Sequence, residues 1–301
     1  MSNTRKIKRR IKSVQNISKV THAMQAVSAS KVRRAQAHVL SSRPYARLAW
    51  RLMIDIASQT TNGTSSHPLL EVRTPIKEIV VLVITSDRGL AGAYNTNILR
   101  AVLRFEKIID LPVQYITVGR KGRDFLMRQG RTVCADFINQ PDDPSIQDIT
   151  PIARLAMDMF LSGQVDEVHI AYTNYINTLT QNPVVLRMLP IKPYKPEETV
   201  MAESLKNQIP RPPSHRLDYV YEPSATAIFD LILPRFTELM IYQSILESHA
   251  CEHSARMVAM RNASDNAEEL ADTLTLTYNK ARQLAITSEM LDIVGGAEAL
   301  D

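Results

Sequence analysis

The sequence predicts an α/β protein with two parts: a long antiparallel two-helix coiled coil formed by the N- and C-terminal segments, and a Rossmann-like α/β domain in the middle. Three observations carry this. Pro and Gly are absent from Met1 to Arg43 and again from Arg235 to Val294, and these are the residues that most strongly interrupt helices. Between those stretches, β-branched runs alternate with helical spacing, as in a mainly parallel sheet. Charge is also divided along the chain: residues 1–51 hold 13 Lys and Arg and no carboxylate, leaving 23 bases and 31 acids, a net of −8, in the remainder. The expected segments are 1–60, a first coiled-coil helix; 75–220, the α/β body; and 223–301, a second coiled-coil helix.

In the first segment Ile7, Ile11, Val14, Ile17, Met24 and Val27 mostly recur every three or four positions. The middle opens with Glu78–Thr85 (EIVVLVIT), which reads as a strand buried on both faces. A turn over Ser86–Gly92 leads into helix over Tyr94–Ile109. Strand at Val113–Val118, helix at Arg120–Gln129, strand at Thr132–Phe137 and helix at Asp148–Leu161 follow. Val168–Tyr172 and Val184–Leu189 read as further strands. Pro190–Pro213 holds six prolines and reads as an extended loop. Pro223 suits a first helical turn, and Pro234 predicts an early kink in the last helix. There, Leu270, Leu274, Ala281, Leu284, Leu291 and Val294 repeat with helical spacing.

Length and charge argue for pairing of the end helices. At 1.5 Å per residue, the stretch from Arg235 to Val294 spans roughly 90 Å, and the first helix about 64 Å over 43 residues. A body of about 170 residues measures only roughly 40 Å across, so the last helix overhangs it. From Glu238 to Asp301 there are 11 acids and four bases, against 13 bases at the other end. Such complementarity favours the mixed pair over self-association. Two helices cannot cover Met257, Val258, Met260, Leu276, Ile286, Met290, Ile293 and Val294, which lie on more than one face, so a partner is expected to house them.

Composition excludes several classes. A hydrophobic fraction of 45% is ordinary for a protein with a packed core. No apolar run reaches the ~18 residues of a membrane helix, and the start reads as basic amphipathic sequence rather than a signal peptide. Two cysteines, Cys134 and Cys251, make no disulfide framework and fit a reducing cytoplasm. The turn Ser86–Asn95 (SDRGLAGAYN) is neither G-x-G-x-x-G nor a phosphate loop, so a strand-to-helix turn outweighs a nucleotide site. Asp87 and Arg88 would lie at the carboxyl end of a strand, where a protein or a ligand could be met. His249 and His253, with Glu252, match the H-x-x-E-H zinc spacing, but no third ligand is marked and no pocket is expected mid-helix. No nucleophile constellation is present. The basic first helix could bind nucleic acid, yet it lacks stacking aromatics or a groove-reading module, and an acidic protein surface is favoured.

Several segments resemble a known family. These are Ile7–Ile17 (IKRRIKSVQNI), Thr21–Lys31 (THAMQAVSASK), Thr85–Asn95, Glu252–Asn266 (EHSARMVAMRNASDN), Tyr278–Gln283 (YNKARQ) and Ile293–Ala297 (IVGGA). Together they resemble the gamma subunit of F-type ATP synthase, over both ends and the first strand-turn unit; residues 110–220 match in pattern more than in words. The resemblance implies a non-catalytic rotor shaft without a cofactor of its own. Its helices would turn inside a hexamer of alpha and beta subunits, and its body would meet the epsilon subunit and the c-subunit ring. Membrane association would be peripheral, through the complex. By position, Met24 would lie near Arg256 and Gln283, coupling shaft to hexamer. Arg282 and Gln283 would contact a beta-subunit loop. Lys8, Arg9, Lys12 and Lys19 would face acidic beta-subunit segments. Ile293, Val294, Ala297 and Leu300 would form an apolar tip in an apolar sleeve. Ala91 stands where many relatives have Cys, and no cysteine pair like the chloroplast redox switch is seen. The absence of a transit sequence points to a bacterial, cytoplasm-facing protein. The alternative is a basic coiled-coil nucleic-acid-binding protein.

Overall fold

The computed structural model of the chain describes residues 2–59, 67–191 and 225–298. Contacts divide it into two units, residues 1–29 with 256–301 and residues 30–255. The proline-rich stretch beyond residue 191, and Pro223, lie outside the described residues.

Helix α1 runs over Ser2–Gln59 and continues through Pro44, past the Pro-free stretch that ends at Arg43. A proline inside a helix costs about 3 kcal/mol through a lost hydrogen bond and a ring clash. The fully buried Val39 and the bonded Arg43 just before it supply packing that offsets this cost. The last helix, α5, runs over Ala225–Glu298 with Pro234 inside its beginning.

Five strands form one sheet in the order β3-β2-β1-β4-β5. They are β1 (Ile79–Ile84), β2 (Val113–Val118), β3 (Val133–Phe137), β4 (Glu167–Tyr175) and β5 (Gln181–Leu189). The first four pair in parallel, with Ile79 level with Val113 and with Glu167; β5 returns antiparallel against β4. Helices α2 (Tyr94–Ile109), α3 (Arg120–Arg128) and α4 (Ile146–Leu161) make the crossovers. Strands β4 and β5 are longer than the apolar runs suggest. Polar Thr173 and Asn174 extend β4, and Pro183 lies within β5, which tolerates proline because it is an edge strand.

Strand β1 is buried throughout, and its side chains alternate between two cores. Val80, Leu82 and Ile84 pack with Ile149, Ile152 and Phe160 of α4, and with Leu233, Phe236, Ile241 and Ile245 of α5. Ile79, Val81 and Val83 pack with Ile98 and Val102 of α2 and Leu126 of α3. Both faces of the sheet are therefore covered, as a continuous apolar strand requires. At the carboxyl end of β2, Gly119 has φ +99°, and a Cβ there would stand 2.2 Å from the Thr85 carbonyl oxygen. Only glycine lets the two strand ends approach so closely.

Candidate functional site

In the unit formed by residues 1–29 and 256–301, the helix seam mixes small side chains with larger apolar ones. Along α1 the buried or half-buried positions include Thr4, Ile7, Ile11, Val14, Ser18, Thr21, Gln25 and Ser28, with Met24 beside them; along α5 they include Met260, Ser264, Ala267, Ala271, Leu274, Tyr278 and Ala281. This three-then-four spacing is the heptad of a left-handed pair. Ser264 is 4% exposed, and its hydroxyl lies 3.4 Å from that of Ser18. Ser18 also donates to Glu268 at 3.4 Å. Small residues let the helices approach closely, and many large apolar ones stay outside. Ile17, Val20 and Val27 of α1 and Leu270, Leu276, Leu284, Ile286, Met290 and Leu291 of α5 are exposed, Leu276 at 65% and Leu284 at 72%. Of the residues that carry the apolar period in the sequence, Ile17, Val27, Leu270, Leu284 and Leu291 lie outside the seam, where Ser18, Ser28, Ser264, Ala267, Ala271 and Ala281 take core positions.

The contact residues expected from the sequence fall into several groups. Lys8, Arg9, Lys12 and Lys19 are exposed, and among the described residues they form no ion pair within the chain. Charge complementarity between the helices is not spent on these cations, which remain available to a partner. Arg282 and Gln283 are exposed as well. Met24 is half-buried, and Arg256, only 9% exposed, is engaged within the chain. The level contact of Ser18 with Ser264 fixes the antiparallel register, which sets Arg256 near the level of Met24. The same register separates Met24 from Gln283 by 25 residues of rise, about 37 Å, so these three do not make one cluster. Ile293 and Val294 lie on α5 with side chains outside the described residues, and Leu300 is outside them altogether.

The turn Ser86–Asn95 has a structural explanation. The Asn95 side-chain amide and the Ser86 hydroxyl bond each other, and the Ser86 hydroxyl donates to the Arg88 carbonyl at 2.7 Å. The half-buried Asp87 carboxylate accepts from the Arg120 amide at 2.9 Å and the Asn139 amide at 2.8 Å, so it ties together the loops after β1, β2 and β3. Arg88 is exposed beside it. Ala91 and Tyr94 are buried in a cluster with Ala35 and Val39 of α1 and Leu246, Ala250 and Cys251 of α5. The turn is the socket in which the sheet receives both helices, and Ala91 is small because helices press on it.

A cleft nearby is lined by Lys31, Arg34, His38, Asp142, Asp143, His249 and His253. The ring centroids of His249 and His253 are 6.3 Å apart. Among the described residues, no group of three His, Cys, Asp or Glu is placed to hold a metal ion. Instead the histidines border the loop between β3 and α4. His253 Nε2 is 3.6 Å from Asp142, His38 Nδ1 is 3.5 Å from Asp143, and Lys31 donates to Asp142 at 2.7 Å. Burial raises the Asp142 pKa, but the hydrogen bond and charge of Lys31, with His253 and His249, outweigh it and hold the carboxyl below its ordinary value.

Sequence reasoning missed a buried network at the carboxyl end of β4. Arg43 of α1 donates to the Tyr175 carbonyl at 2.6 Å and lies 3.5 Å from Glu247 of α5. Glu247 accepts from the Tyr175 amide at 3.4 Å and from Gln243 at 3.1 Å, and Ser42 donates to Gln243 at 2.7 Å. Burial pushes the Glu247 carboxyl above its ordinary value, with Arg43 pulling the other way. A carboxylate amid the apolar spacing of α5 was the only signal in the sequence.

Comparison with known proteins agrees with this architecture. A family model described as ATP synthase matches residues 3–300. A protein named ATP synthase gamma chain from Dehalococcoides mccartyi (strain CBDB1) is 47% identical over 300 residues, covering all of both chains. One of the same name from Roseiflexus castenholzii is 44% identical, over all of this chain and 99% of that one. The fold is shared with a chain of the Tetrahymena thermophila mitochondrial ATP synthase central stalk and c-ring, at TM-score 0.62 and 23% identity, over 81% of this chain and 99% of that one. It is also shared with a chain of the Euglena gracilis mitochondrial ATP synthase rotor, at TM-score 0.66 and 20% identity, over 95% and 99%. The chain belongs to the ATP synthase gamma-chain family.

Proposed function

We propose that this chain is the central rotor shaft of an F-type ATP synthase, coupling ion flow through the c ring to ATP synthesis and hydrolysis at the beta subunits. One observation carries the mechanical reading: beside a seam that buries Ser18, Ser28, Ser264, Ala267 and Ala271 among larger residues, many large apolar side chains face outward along the helix pair. A monomer in water gains nothing from that arrangement, whereas an enclosing assembly would bury the outward face. Apolar contact is weak per atom and non-directional, so it lets a shaft turn without deep angular traps. The alpha and beta subunits would enclose the helices, and the body would meet the epsilon subunit and the c ring. Lys8, Arg9, Lys12 and Lys19 would face acidic beta-subunit segments through screened attraction. Met24, Arg282, Gln283, Ile293, Val294 and Leu300 would contact the hexamer, with Arg256 acting from inside the helix pair and Asp87 and Arg88 at the strand-end face of the body. The chain itself would perform no bond chemistry.

No described helix is long and apolar enough to cross a membrane. We place the chain at the cytoplasmic face of a bacterial plasma membrane, held there through its complex. The test is affinity purification of the tagged full chain from its native membranes. The expected result is co-elution with alpha, beta, epsilon and c subunits and with ATP hydrolysis activity. Elution alone, or with nucleic acid that salt removes, would contradict the proposal.

A further inference from the structure

A shaft that carries load needs a joint that resists rolling of each helix against the sheet. Much of the packing around α5 in the body does this without any oriented bond. Leu233, Phe236, Ile241 and Ile245 meet the sheet core through apolar contacts. These interdigitated contacts resist both separation and sliding, but no single one of them is directional, so they fix the helix angle less sharply than oriented bonds would. Hydrogen bonds differ, because they weaken steeply with angle and distance.

Directional contacts from both helices converge on the last residues of β4. Arg43 of α1 donates to the Tyr175 carbonyl, and Glu247 of α5 accepts from the Tyr175 amide, so the two helices hold opposite polar groups of one residue. Gln36 of α1 bonds the Tyr175 hydroxyl. Ser248 of α5 accepts from the Thr173 amide at 3.4 Å, and the Cys251 thiol lies 3.4 Å from the Thr173 carbonyl. At the held residues the strand pairs with β5, Tyr175 opposite Gln181, and further back, up to Ala171, it also pairs with β1, so force on Tyr175 passes along the strand into the sheet. Glu247 is 5% exposed, so water does not readily replace a broken bond. A buried charge pair is a poor choice for stability alone, since apolar residues of similar volume are often as good. It is a good choice where orientation must be kept under load.

We propose that Arg43 and Glu247 are the torque-holding positioning pair of this subunit, locking both helices in angle to the carboxyl end of β4 so that rotation passes between helices and body without slip. This rests on the rotor reading above. The pair touches no nucleotide and acts only through the helices it holds.

The experiment uses the assembled complex in sealed inverted membrane vesicles and measures ATP hydrolysis and ATP-driven ion uptake together. The principal variant is the double replacement Arg43→Met with Glu247→Leu, which removes both charges and keeps apolar packing. The double variant is expected to assemble and to hydrolyse ATP at no less than the native rate. Ions moved per ATP should fall by about threefold or more, the scale at which single sites modulate coupling. A native ratio of ions to ATP would overturn the proposal, because packing alone would then transmit the torque. Should the double variant not assemble, Arg43→Lys is read the same way. It keeps the charge but loses the forked guanidinium, and a lowered ratio is expected while a native ratio overturns the proposal. A merely structural role would lower the amount of complex and leave the ratio unchanged. If the native chain itself is absent from the ATP-hydrolysing complex, it is the rotor reading that fails, and this outcome is visible before any variant is compared.

Discussion

The Asp87 carboxylate receives backbone amides from the loops after β2 and β3, and that use defines its first task. Each such charge-assisted bond is worth more than a neutral one. Asp87→Ala should lower the unfolding free energy of the full chain by about 2 kcal/mol in urea titration. A change confined to subunit binding, with stability intact, would restore it to the role of a pure contact residue. Glu167 gives a pH signature. Burial alone would raise its pKa, but the His169 ring at 2.8 Å and the Arg187 guanidinium at 3.4 Å outweigh that and draw it below the ordinary value. The folded chain therefore holds this proton less tightly than the unfolded chain does. Its stabilising contribution is present above the ordinary carboxylate range and is lost as pH falls through the folded value. Native thermal stability should drop as pH falls below about 5, and Glu167→Gln should flatten part of that drop. An identical acid profile for the two would show that the His169–Glu167–Arg187 set contributes nothing to it. Residue roles of this type were not legible in the sequence. The motif over Ser86–Asn95 stood out, but its purpose as a socket depends on α1 and α5, far away along the chain.

Elements were easier to read than residues. The three crossover helices and the first three strands lie where apolar period and glycines put them, because their signals are local. Strands β4 and β5 run longer than expected, since sheet pairing recruits polar residues that no local preference marks. Helix α1 passes Pro44 for the analogous reason of tertiary support. The seam of the helix pair was misread in part, because a search for large apolar residues overlooks Ser18, Ser28, Ser264 and Ala271. This yields a paired test. Ala271→Leu should wedge the seam and cost about 1–3 kcal/mol. Leu276→Ser, on the open face, should change the isolated chain by no more than about 0.5 kcal/mol and yet weaken assembly with the hexamer. Circular dichroism melts and co-purification yield read the two effects, and equal destabilisation by both would refute the assigned seam. In the body, Gly119→Ala should destabilise by more than about 1 kcal/mol in urea unfolding, since its Cβ would meet the Thr85 carbonyl at 2.2 Å. A neutral outcome would mean that the strand ends do not approach so closely.

At the scale of the whole molecule, the chain divides into a helix-pair unit, residues 1–29 with 256–301, and a unit of residues 30–255 that holds the sheet. Under the proposed function, exposed cations at Lys8, Arg9, Lys12 and Lys19, outward apolar faces on both helices and a polar joint at β4 would each answer a different need: attraction to a partner, smooth turning within it, and transmission of force. A rotor shaft of the proposed kind would turn its helices and its body together. Cys134 is exposed on strand β3 while Cys251 is buried, so a probe attached through thiol chemistry reports on the body. The most direct measurement fixes the hexamer to a surface, attaches a bead to Cys134 and follows it while ATP is hydrolysed. Sustained rotation in one direction is expected, in steps that follow the order of the beta sites. A bead that only fluctuates about one angle, while hydrolysis proceeds at full rate, would contradict it.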